Sequence, residues 1–206
     1  MAGLFITFEG GEGSGKTTIA SMIEEALSKE GYNVVLTREP GGVPIAEQIR
    51  DVIVDPKNTA MDPRTEALLY AASRRQHLVE KVLPAKKNHS IIICDRFIDS
   101  SLVYQGVARG IGIEKVYQMN LFATEDIMPD LTIFFDVKPE IGLQRVMSGD
   151  REVNRLDMEK LDFHQDVYNG YVSIAKIFPE RIKTIDASLD VNQVYKQVYH
   201  LIKDRL

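Results

Sequence analysis

The sequence contains five short apolar runs that alternate with segments of helical periodicity. The runs are LFITFE (4–9), NVVLTR (33–38), SIIICD (90–95), LTIFFDV (131–137) and RIKTID (181–186). Apolar residues recur at helical spacing in 17–31, 44–54, 64–83, 113–124, 139–147, 162–178 and 190–205. Strands that alternate with helices form a parallel sheet covered on both faces. The pattern predicts one α/β domain over residues 1–206, with a five-stranded parallel sheet and helices on both faces.

One segment breaks this alternation. SGDREVNRLD (148–157) is polar and charged and lies between two helical patterns. The simplest interpretation is a solvated loop. Its two arginines, Arg151 and Arg155, favour a second interpretation, a short mobile lid over about residues 148–158. A lid of this kind closes over a site and excludes water from it.

The composition limits the classes to which the chain can belong. Of its 206 residues, 44% are hydrophobic, which is enough for a full core. The net charge of −5 argues against a general nucleic-acid-binding protein, which would carry a basic face. Cys94 is the only cysteine, so no intramolecular disulfide can form and a reducing compartment is indicated. Because the sequence has neither a signal-peptide pattern nor an apolar run of roughly 20 residues, we expect a cytoplasmic protein with no membrane partner.

Residues 10–18, GGEGSGKTT, follow the first predicted strand and open the first predicted helix. The segment matches the P-loop, G-x-x-x-x-G-K-[ST], in the strand–loop–helix context that this motif requires. Its glycines let backbone N–H groups turn toward phosphate oxygens, and the helix N-terminus adds a partial positive charge. The motif therefore predicts a P-loop NTPase-type fold that binds ATP. The expected ATP-binding residues here are Gly10, Gly11, Glu12, Gly13, Ser14, Gly15, Lys16, Thr17 and Thr18.

Three side chains are expected to act on the phosphates and on a metal ion. Lys16 is expected to reach the β- and γ-phosphates, and the Thr17 hydroxyl is expected to bind Mg²⁺. Asp95 ends the third predicted strand, which is the usual place for a second acidic residue near the metal. The alternative for Asp95 is a helix cap. We therefore expect Mg²⁺ at Thr17 and Asp95, with ATP as co-substrate.

Three further stretches are rich in arginine where an exposed loop more often has lysine and glutamate. They are TREPGGVPIAEQIR (37–50), EALLYAASRRQH (66–77) and DRFIDSSLVYQG (95–106). Arg96 follows a strand and so lies at the carboxyl edge of the sheet, where ligands bind in open α/β folds. Arg96 and Arg50 are candidates for a guanidinium fork on the phosphate of a monophosphate acceptor. Arg38 and Glu39 lie at the end of another strand and are candidates for the same network.

Two groups of residues share predicted helical faces in these stretches. Tyr70 and Arg74 are four residues apart, so they lie on one face. On their own, they are most simply a core tyrosine and a surface arginine. Ser101, Tyr104 and Gln105 share another face. The Gln105 amide carries both a donor and an acceptor, which suits the N3–H and the neighbouring carbonyl of a pyrimidine.

Taken with FEGGEGSGKTT, these stretches resemble the thymidylate kinase family, whose members phosphorylate dTMP. The resemblance continues through PDLTIFFDV to NRLD and covers essentially the whole chain. It implies transfer of a phosphoryl group from ATP·Mg²⁺ to dTMP on the way to dTTP, a nucleoside monophosphate kinase-like fold and a homodimer. One departure is Phe97, where the family usually has a tyrosine, so the resemblance supports no hydroxyl role at this position.

The resemblance also implies roles for the acceptor residues. In the family, arginines at the positions of Arg50 and Arg96 bind the acceptor phosphate. An aromatic residue at Tyr70 stacks on thymine, and Arg74 donates to a base carbonyl. The acidic P-loop residue, here Glu12, accepts a hydrogen bond from the 3′-OH, and Tyr104 packs against the deoxyribose. The expected dTMP-binding residues are Glu12, Glu39, Arg50, Tyr70, Arg74, Arg96, Ser101, Tyr104 and Gln105.

The arginine that stabilises the transition state is expected in the lid. Some thymidylate kinases carry it in the P-loop, but this chain has Gly13 and Ser14 there, so the resemblance is to the bacterial pattern with a basic lid. Arg151 and Arg155 are the candidates, and Arg155 is preferred. Arg145, on the helix before the lid, is expected to stack on adenine; a surface position is the alternative. The expected catalytic residues are Lys16, Arg96, Arg151 and Arg155.

Two other functions remain open from the sequence, because a P-loop alone does not define an activity. A deoxynucleoside kinase also has a P-loop and an Asp-Arg motif, but its acceptor lacks the phosphate that Arg50 and Arg96 would bind. A nucleotide-gated binding protein would use ATP to switch conformation and needs no acceptor pocket, so the DRFIDSSLVYQG stretch counts against it. Saturable dTMP binding without ATP would distinguish an acceptor site from such a switch.

Overall fold

The described residues form one parallel sheet of five strands. The computed structural model describes residues 3–148, 156 and 158–206. The strands are β1 Leu4–Glu9, β2 Val34–Arg38, β3 Ile91–Asp95, β4 Leu131–Asp136 and β5 Ile182–Asp186. Their order in the sheet is β2-β3-β1-β4-β5, and every pairing is parallel. The predicted strands are confirmed, with each boundary within one residue of its expected position.

Nine α-helices and two π-helical segments connect and follow the strands in the described residues. The helices are α1 Lys16–Lys29, α2 Pro44–Val54, α3 Pro63–His77, α4 Leu83–Lys87, α5 Ile98–Ser101, α6 Ile113–Thr124, α7 Pro139–Met147, α8 Leu161–Ile177 and α9 Val191–Lys203. The π-helical segments are Leu78–Val82 and Leu102–Ala108. The second of these, with α5, extends the helical turn after β3, so Ser101, Tyr104 and Gln105 lie on helical structure as predicted.

The helix expected over residues 64–83 needs a correction. It begins as an α-helix whose first N–H groups are capped by Asp62, which accepts hydrogen bonds from Arg64 N at 2.9 Å and Thr65 N at 3.3 Å. After His77 it widens into a π-turn in which the N–H of Leu83 donates to the carbonyl of Leu78. Pro84 explains the change, because a proline has no N–H to donate and its ring crowds the carbonyl four residues earlier.

The core lies on both faces of the sheet, as the alternation of strands and helices predicted. On one face, Ile6 and Phe8 of β1 pack in a cluster with buried residues of α1 and α9. On the other face, Phe5 packs with Cys94 and with residues of the two π-helical segments and α6. Neighbouring strand residues point to opposite faces, so β1 contributes apolar side chains to both clusters. The loop after β1 therefore lies at the edge of a sheet that is buried on both sides.

None of the helices in the described ranges combines the length and the apolar character that crossing a membrane requires.

Candidate active site

The P-loop lies between the end of β1 at Glu9 and the start of α1 at Lys16, which is the context that its motif requires. Gly15 precedes the helix in a left-handed conformation, with φ of 89°. At Gly13, φ is 66°, and a Cβ atom would lie 2.0 Å from the carbonyl oxygen of Gly142 in α7. A side chain at position 13 is therefore excluded both by backbone strain and by the close approach of α7.

Lys16 is buried inside this loop. Its Nζ donates to the carbonyl oxygens of Gly10 at 3.1 Å and Gly11 at 2.9 Å, and to Ser14 Oγ at 3.0 Å. Burial, and then the positive charge of Arg96, lowers the pKa of Lys16 to about 8. An anionic phosphate at the loop would supply the opposite charge that a buried ammonium group requires.

One cavity of about 600 Å³ opens at the carboxyl edge of the sheet, as expected for ligand sites in open α/β folds. Most of the predicted site residues line it. These are Glu12, Gly13, Ser14, Gly15, Lys16, Thr17, Thr18, Glu39, Arg50, Tyr70, Asp95, Arg96, Ser101, Tyr104, Gln105 and Arg145. The cavity therefore brings together the predicted donor side and the predicted acceptor side.

Five of the predicted residues are not in that lining. Gly10 and Gly11 contribute carbonyl oxygens that hold Lys16, so they lie behind the cavity wall. Arg74 is buried away from the cavity surface and is considered below. Arg151 and Arg155 lie outside the described residues.

Thr17 and Asp95, the two residues predicted to bind a metal ion, contact each other directly. Thr17 Oγ1 donates to Asp95 Oδ2 at 2.7 Å, and Asp95 Oδ1 is buried with no hydrogen-bond partner. Asp95 caps no helix, because α5 begins after Phe97 and has no side-chain cap. The described residues contain no group of three or more His, Cys, Asp or Glu side chains that could hold a metal. Two oxygen donors fit Mg²⁺, because this ion commonly takes one or two protein ligands and completes its shell with substrate phosphates and water.

Arg96 lies at the centre of the cavity wall. Its Nη2 donates to Glu12 Oε1 at 2.7 Å and its Nη1 donates to the carbonyl oxygen of Gly10 at 2.9 Å. The guanidinium carbon is 5.0 Å from the ring centroid of Tyr104. Its backbone has a φ of 70°, an uncommon value for a residue other than glycine. The surrounding contacts therefore hold Arg96 in one specific orientation.

Glu12 faces the side of the cavity that Arg96 and Tyr104 line. Besides the contact with Arg96, Glu12 Oε1 accepts a hydrogen bond from the Tyr104 hydroxyl at 3.2 Å. A carboxylate in a phosphate-binding loop is tolerated here because a guanidinium group neutralises it.

Glu9 is a functional candidate that the sequence interpretation missed. Its carboxylate accepts hydrogen bonds from Phe97 N at 2.7 Å, Ser100 Oγ at 2.6 Å and Tyr171 OH at 2.8 Å. Burial, and then the negative charge of Asp99, raises the pKa of Glu9 to about 7. By holding Phe97 N, Glu9 fixes the turn that carries Arg96. Its only signal in the sequence is an acidic residue at the end of an otherwise apolar strand.

Arg74 lies in a buried network beneath the cavity. Its guanidinium donates to Glu39 at 2.8 Å, to Ser101 at 3.0 Å and to the carbonyl of Phe97 at 2.9 Å, and it also contacts Asn120. Tyr70 and Arg74 both lie on α3, as expected, but only Tyr70 reaches the cavity. The interpretation of Arg74 as a surface arginine is wrong, because its side chain is only 1% exposed.

Glu39 connects this network to the cavity. Its second oxygen pairs with His77 Nδ1 at 2.8 Å, and His77 Nε2 is 2.7 Å from Thr37 Oγ1. The role of His77 is to hold the buried carboxylate of Glu39 in place. Arg38 also lines the cavity, and Glu47 engages its guanidinium group through two contacts of 3.0 Å.

Two further predicted arginines, Arg50 and Arg145, both line the cavity. Arg50 lines its acceptor side and donates to the carbonyl of Pro40 at 3.1 Å. Burial, and then the charge of Arg38, lowers the pKa of Arg50. Arg145 in α7 donates to the carbonyl oxygen of Ala187 at 3.0 Å and lines the donor side. Arg145 is exposed, as the alternative of a surface position expects, and its side chain also lines the cavity.

Comparisons with known proteins agree with this geometry. A family model described as thymidylate kinase matches residues 8–198. A thymidylate kinase of Bacillus velezensis is 58% identical, with 100% of this chain and 98% of the relative covered. One of Anoxybacillus flavithermus is 57% identical, with 98% of each chain covered. A solved structure of thymidylate kinase from Ehrlichia chaffeensis superposes with a TM-score of 0.81 at 34% identity, covering 98% of this chain and 100% of that chain.

Proposed function

Because the chain belongs to the thymidylate kinase family, we propose that its cavity aligns ATP and dTMP for direct phosphoryl transfer. The protein is a nucleoside monophosphate kinase that converts dTMP to dTDP. The observation that carries the proposed arrangement is that the P-loop and the predicted acceptor residues open into one cavity of about 600 Å³. Donor and acceptor can therefore meet without a large rearrangement of the described residues.

On the donor side, the P-loop holds the phosphates of ATP. Backbone N–H groups of residues 10–18 surround the phosphates, and Lys16 exchanges its contacts with the loop carbonyls for the β- and γ-phosphate oxygens. Arg145 lies beside the adenine. Thr17 and the unpartnered Oδ1 of Asp95 would hold Mg²⁺. When bound, this ion would neutralise charge on the β- and γ-phosphates.

On the acceptor side, Arg96 and Arg50 hold the 5′-phosphate of dTMP. That phosphate is already anionic and is itself the nucleophile, so no strong general base is required. Glu12 accepts from the 3′-OH, Tyr104 packs on the sugar, and Tyr70 stacks on the base. Beneath this face, the Arg74 guanidinium donates hydrogen bonds to Glu39 and to Ser101. Arg74 lies beneath the cavity lining rather than in it, and we propose that the one N–H that this network leaves over donates to a base carbonyl.

The segment over about residues 148–158 acts as a lid of the same single domain, residues 1–206. Arg151 and Arg155 stabilise the charge that develops during transfer, with Arg155 the principal one. The proposal rests on the family resemblance and on the position of α7, which carries Arg145 at the cavity and leads directly into this segment.

The two alternative functions lack support at the acceptor side. A deoxynucleoside kinase would leave Arg50 and Arg96 without a phosphate to bind. A nucleotide-gated switch would have no use for a cavity wall built from Tyr70, Tyr104 and Gln105. The experiment that tests the proposed function is an acceptor panel.

We expect ADP production from ATP·Mg²⁺ to be strongest with dTMP, weaker with dUMP and small with UMP, dCMP, dGMP or thymidine. Removal of Mg²⁺ by a chelator should abolish the reaction with dTMP. Preferred activity on thymidine would indicate a nucleoside kinase. Equal ADP production with no acceptor would indicate an ATPase and would overturn the acceptor site.

The same chain is proposed to form a homodimer in the cytoplasm. Large apolar side chains are exposed on α2, α3 and α6. Of these three helices, α3 packs against both α2 and α6. Phe122 is 88% exposed and Leu68 is 59% exposed, with Ile45 and Val52 also exposed on α2. Exposed apolar side chains on helices that pack together are typical of an interface, and the occupant that we propose is a second copy of this chain.

The substitution Phe122→Glu should convert the dimer to a monomer, because it places a charge in an apolar interface. Light scattering coupled to size-exclusion chromatography would measure the mass. The matched control is Ile177→Glu on α8, which adds the same charge at another exposed apolar residue and should leave a dimer. A wild-type protein that is monomeric at micromolar concentration would contradict the proposal.

A further inference from the structure

We propose that Glu66 is a positioning residue that fixes the orientation of the Gln105 amide and thereby selects acceptor bases with an N–H at ring position 3. The proposal rests on the proposed function, because it requires the base of a nucleoside monophosphate to lie against Gln105. It extends that function, since neither Glu66 nor its partner Arg109 lines the cavity. Glu66 acts on the base through Gln105, and Arg109 acts through Glu66.

The contact between the two side chains allows only one orientation of the amide. Gln105 Nε2 lies 2.9 Å from Glu66 Oε1, and each residue is only 1% exposed. An ionised carboxylate can accept hydrogen bonds but cannot donate them. The nitrogen of Gln105 must therefore face Glu66, and the amide oxygen must point to the opposite side.

Glu66 is held in place by a cation. Arg109 Nε lies 3.3 Å from Glu66 Oε1, and Arg109 Nη2 lies 3.3 Å from Glu66 Oε2. Arg109 also contacts Glu159 at 2.6 Å and stacks over Phe163, with its guanidinium carbon 4.6 Å from the ring centroid. A buried carboxylate needs such a partner to remain charged, so the pair keeps Glu66 an obligate acceptor.

The amide oxygen of Gln105 is left to the ligand. Gln105 lines the cavity, whereas Glu66 lies behind the lining, so the amide nitrogen donates away from the cavity to Glu66. No hydrogen bond to Gln105 Oε1 is found within the described ranges. Thymine and uracil present an N–H at position 3, and cytosine presents a lone pair there. The fixed oxygen therefore accepts from thymine or uracil and repels cytosine.

The test is the acceptor preference of Glu66→Gln, measured as kcat/KM with dTMP and dCMP at saturating ATP·Mg²⁺. The new amide can donate to Gln105 or accept from it, so Gln105 is free to turn its nitrogen toward the base. We expect the dCMP/dTMP ratio of kcat/KM to rise about tenfold or more, as for a base contact that loses its discrimination. The value for dCMP itself should increase, which general damage to the fold would not produce.

Glu66→Asp is a second variant that keeps the negative charge beside Arg109. Its shorter side chain withdraws the acceptor from Gln105, so the ratio should shift in the same direction even if Glu66→Gln does not fold. The double variant Glu66→Gln with Gln105→Glu puts an obligate acceptor at the cavity again and should restore the preference for dTMP. The matched control is Glu159→Gln, which removes the other acidic partner of Arg109 and should leave the ratio unchanged.

An unchanged ratio in a folded, active Glu66→Gln or Glu66→Asp variant would overturn the proposal. So would equal losses with dTMP and dCMP, because these would indicate a purely structural role. Neither result would affect the proposed function, which fails separately if the wild-type protein does not phosphorylate dTMP.

Discussion

Arg96→Ala is expected to lower kcat/KM for dTMP by about 10³-fold, a loss typical of removing a preorganised group that stabilises charge in a transition state. Its guanidinium lies between the P-loop carbonyl of Gly10 and the carboxylate of Glu12, with only 17% of the side chain exposed. A phosphate that enters this space would meet a cation that is already oriented and largely desolvated. Steady-state kinetics with dTMP and ATP·Mg²⁺ varied separately would measure the loss.

Arg96→Lys should recover only part of this activity, because a lysine keeps the charge but lacks the planar fork that matches a phosphate. The control is Arg75→Ala on α3, which removes an arginine that pairs with Glu125 rather than lining the cavity. That variant should retain wild-type kinetics. Near-normal kcat/KM in Arg96→Ala would show that the acceptor phosphate binds elsewhere in the cavity.

Several features of the site could be predicted because local sequence determines them. Three glycines of the P-loop, Gly10, Gly13 and Gly15, have backbone conformations that other residues rarely adopt, and a motif of fixed length joins them to Lys16 and Thr17. Arg96 was predicted at the carboxyl edge because parallel strands bring their carboxyl ends together. Arg96 directly follows the end of β3, so its position could be predicted without information from distant parts of the chain.

The features that could not be predicted depend on pairings between distant residues. Glu9 holds Phe97 and Tyr171, which lie 88 and 162 positions away in the sequence. The shared helical face of Tyr70 and Arg74 gave no sign of Glu39 and Asn120, which bind the Arg74 guanidinium beneath the cavity. Helical periodicity reports which residues share a face and carries no information on which partner lies opposite.

The π-helical segments show a second limit. A π-turn adds one residue to a helical turn, so a hydrophobic pattern with an average period of 3.6 residues does not identify it. The segment Leu102–Ala108 nonetheless contains Tyr104 and Gln105, two of the predicted acceptor residues. Here the local departure from the α-helix occurs at side chains that line the cavity, and such segments are frequently found at functional sites.

Lys16→Met is expected to lower kcat by about 10³-fold, since it deletes a preorganised cation at the phosphates that carry the developing charge. Methionine has a side chain of similar length and carries no charge. In the wild-type protein the ammonium group is held by the carbonyls of Gly10 and Gly11, so the loop already has the shape that positions it. The loss should therefore appear in the rate of transfer, and dTMP affinity measured without ATP should change little.

Lys29→Met is the matched control, because it removes a lysine from the last turn of the same helix, where Lys29 is exposed and pairs with Glu25. It should leave both kcat and nucleotide binding unchanged. Calorimetric titration with ATP·Mg²⁺ and with dTMP would separate binding from turnover. If Lys16→Met lost dTMP binding as strongly as turnover, the lysine would be supporting the acceptor wall through Glu12 and Arg96, and its assignment to the donor phosphates would be wrong.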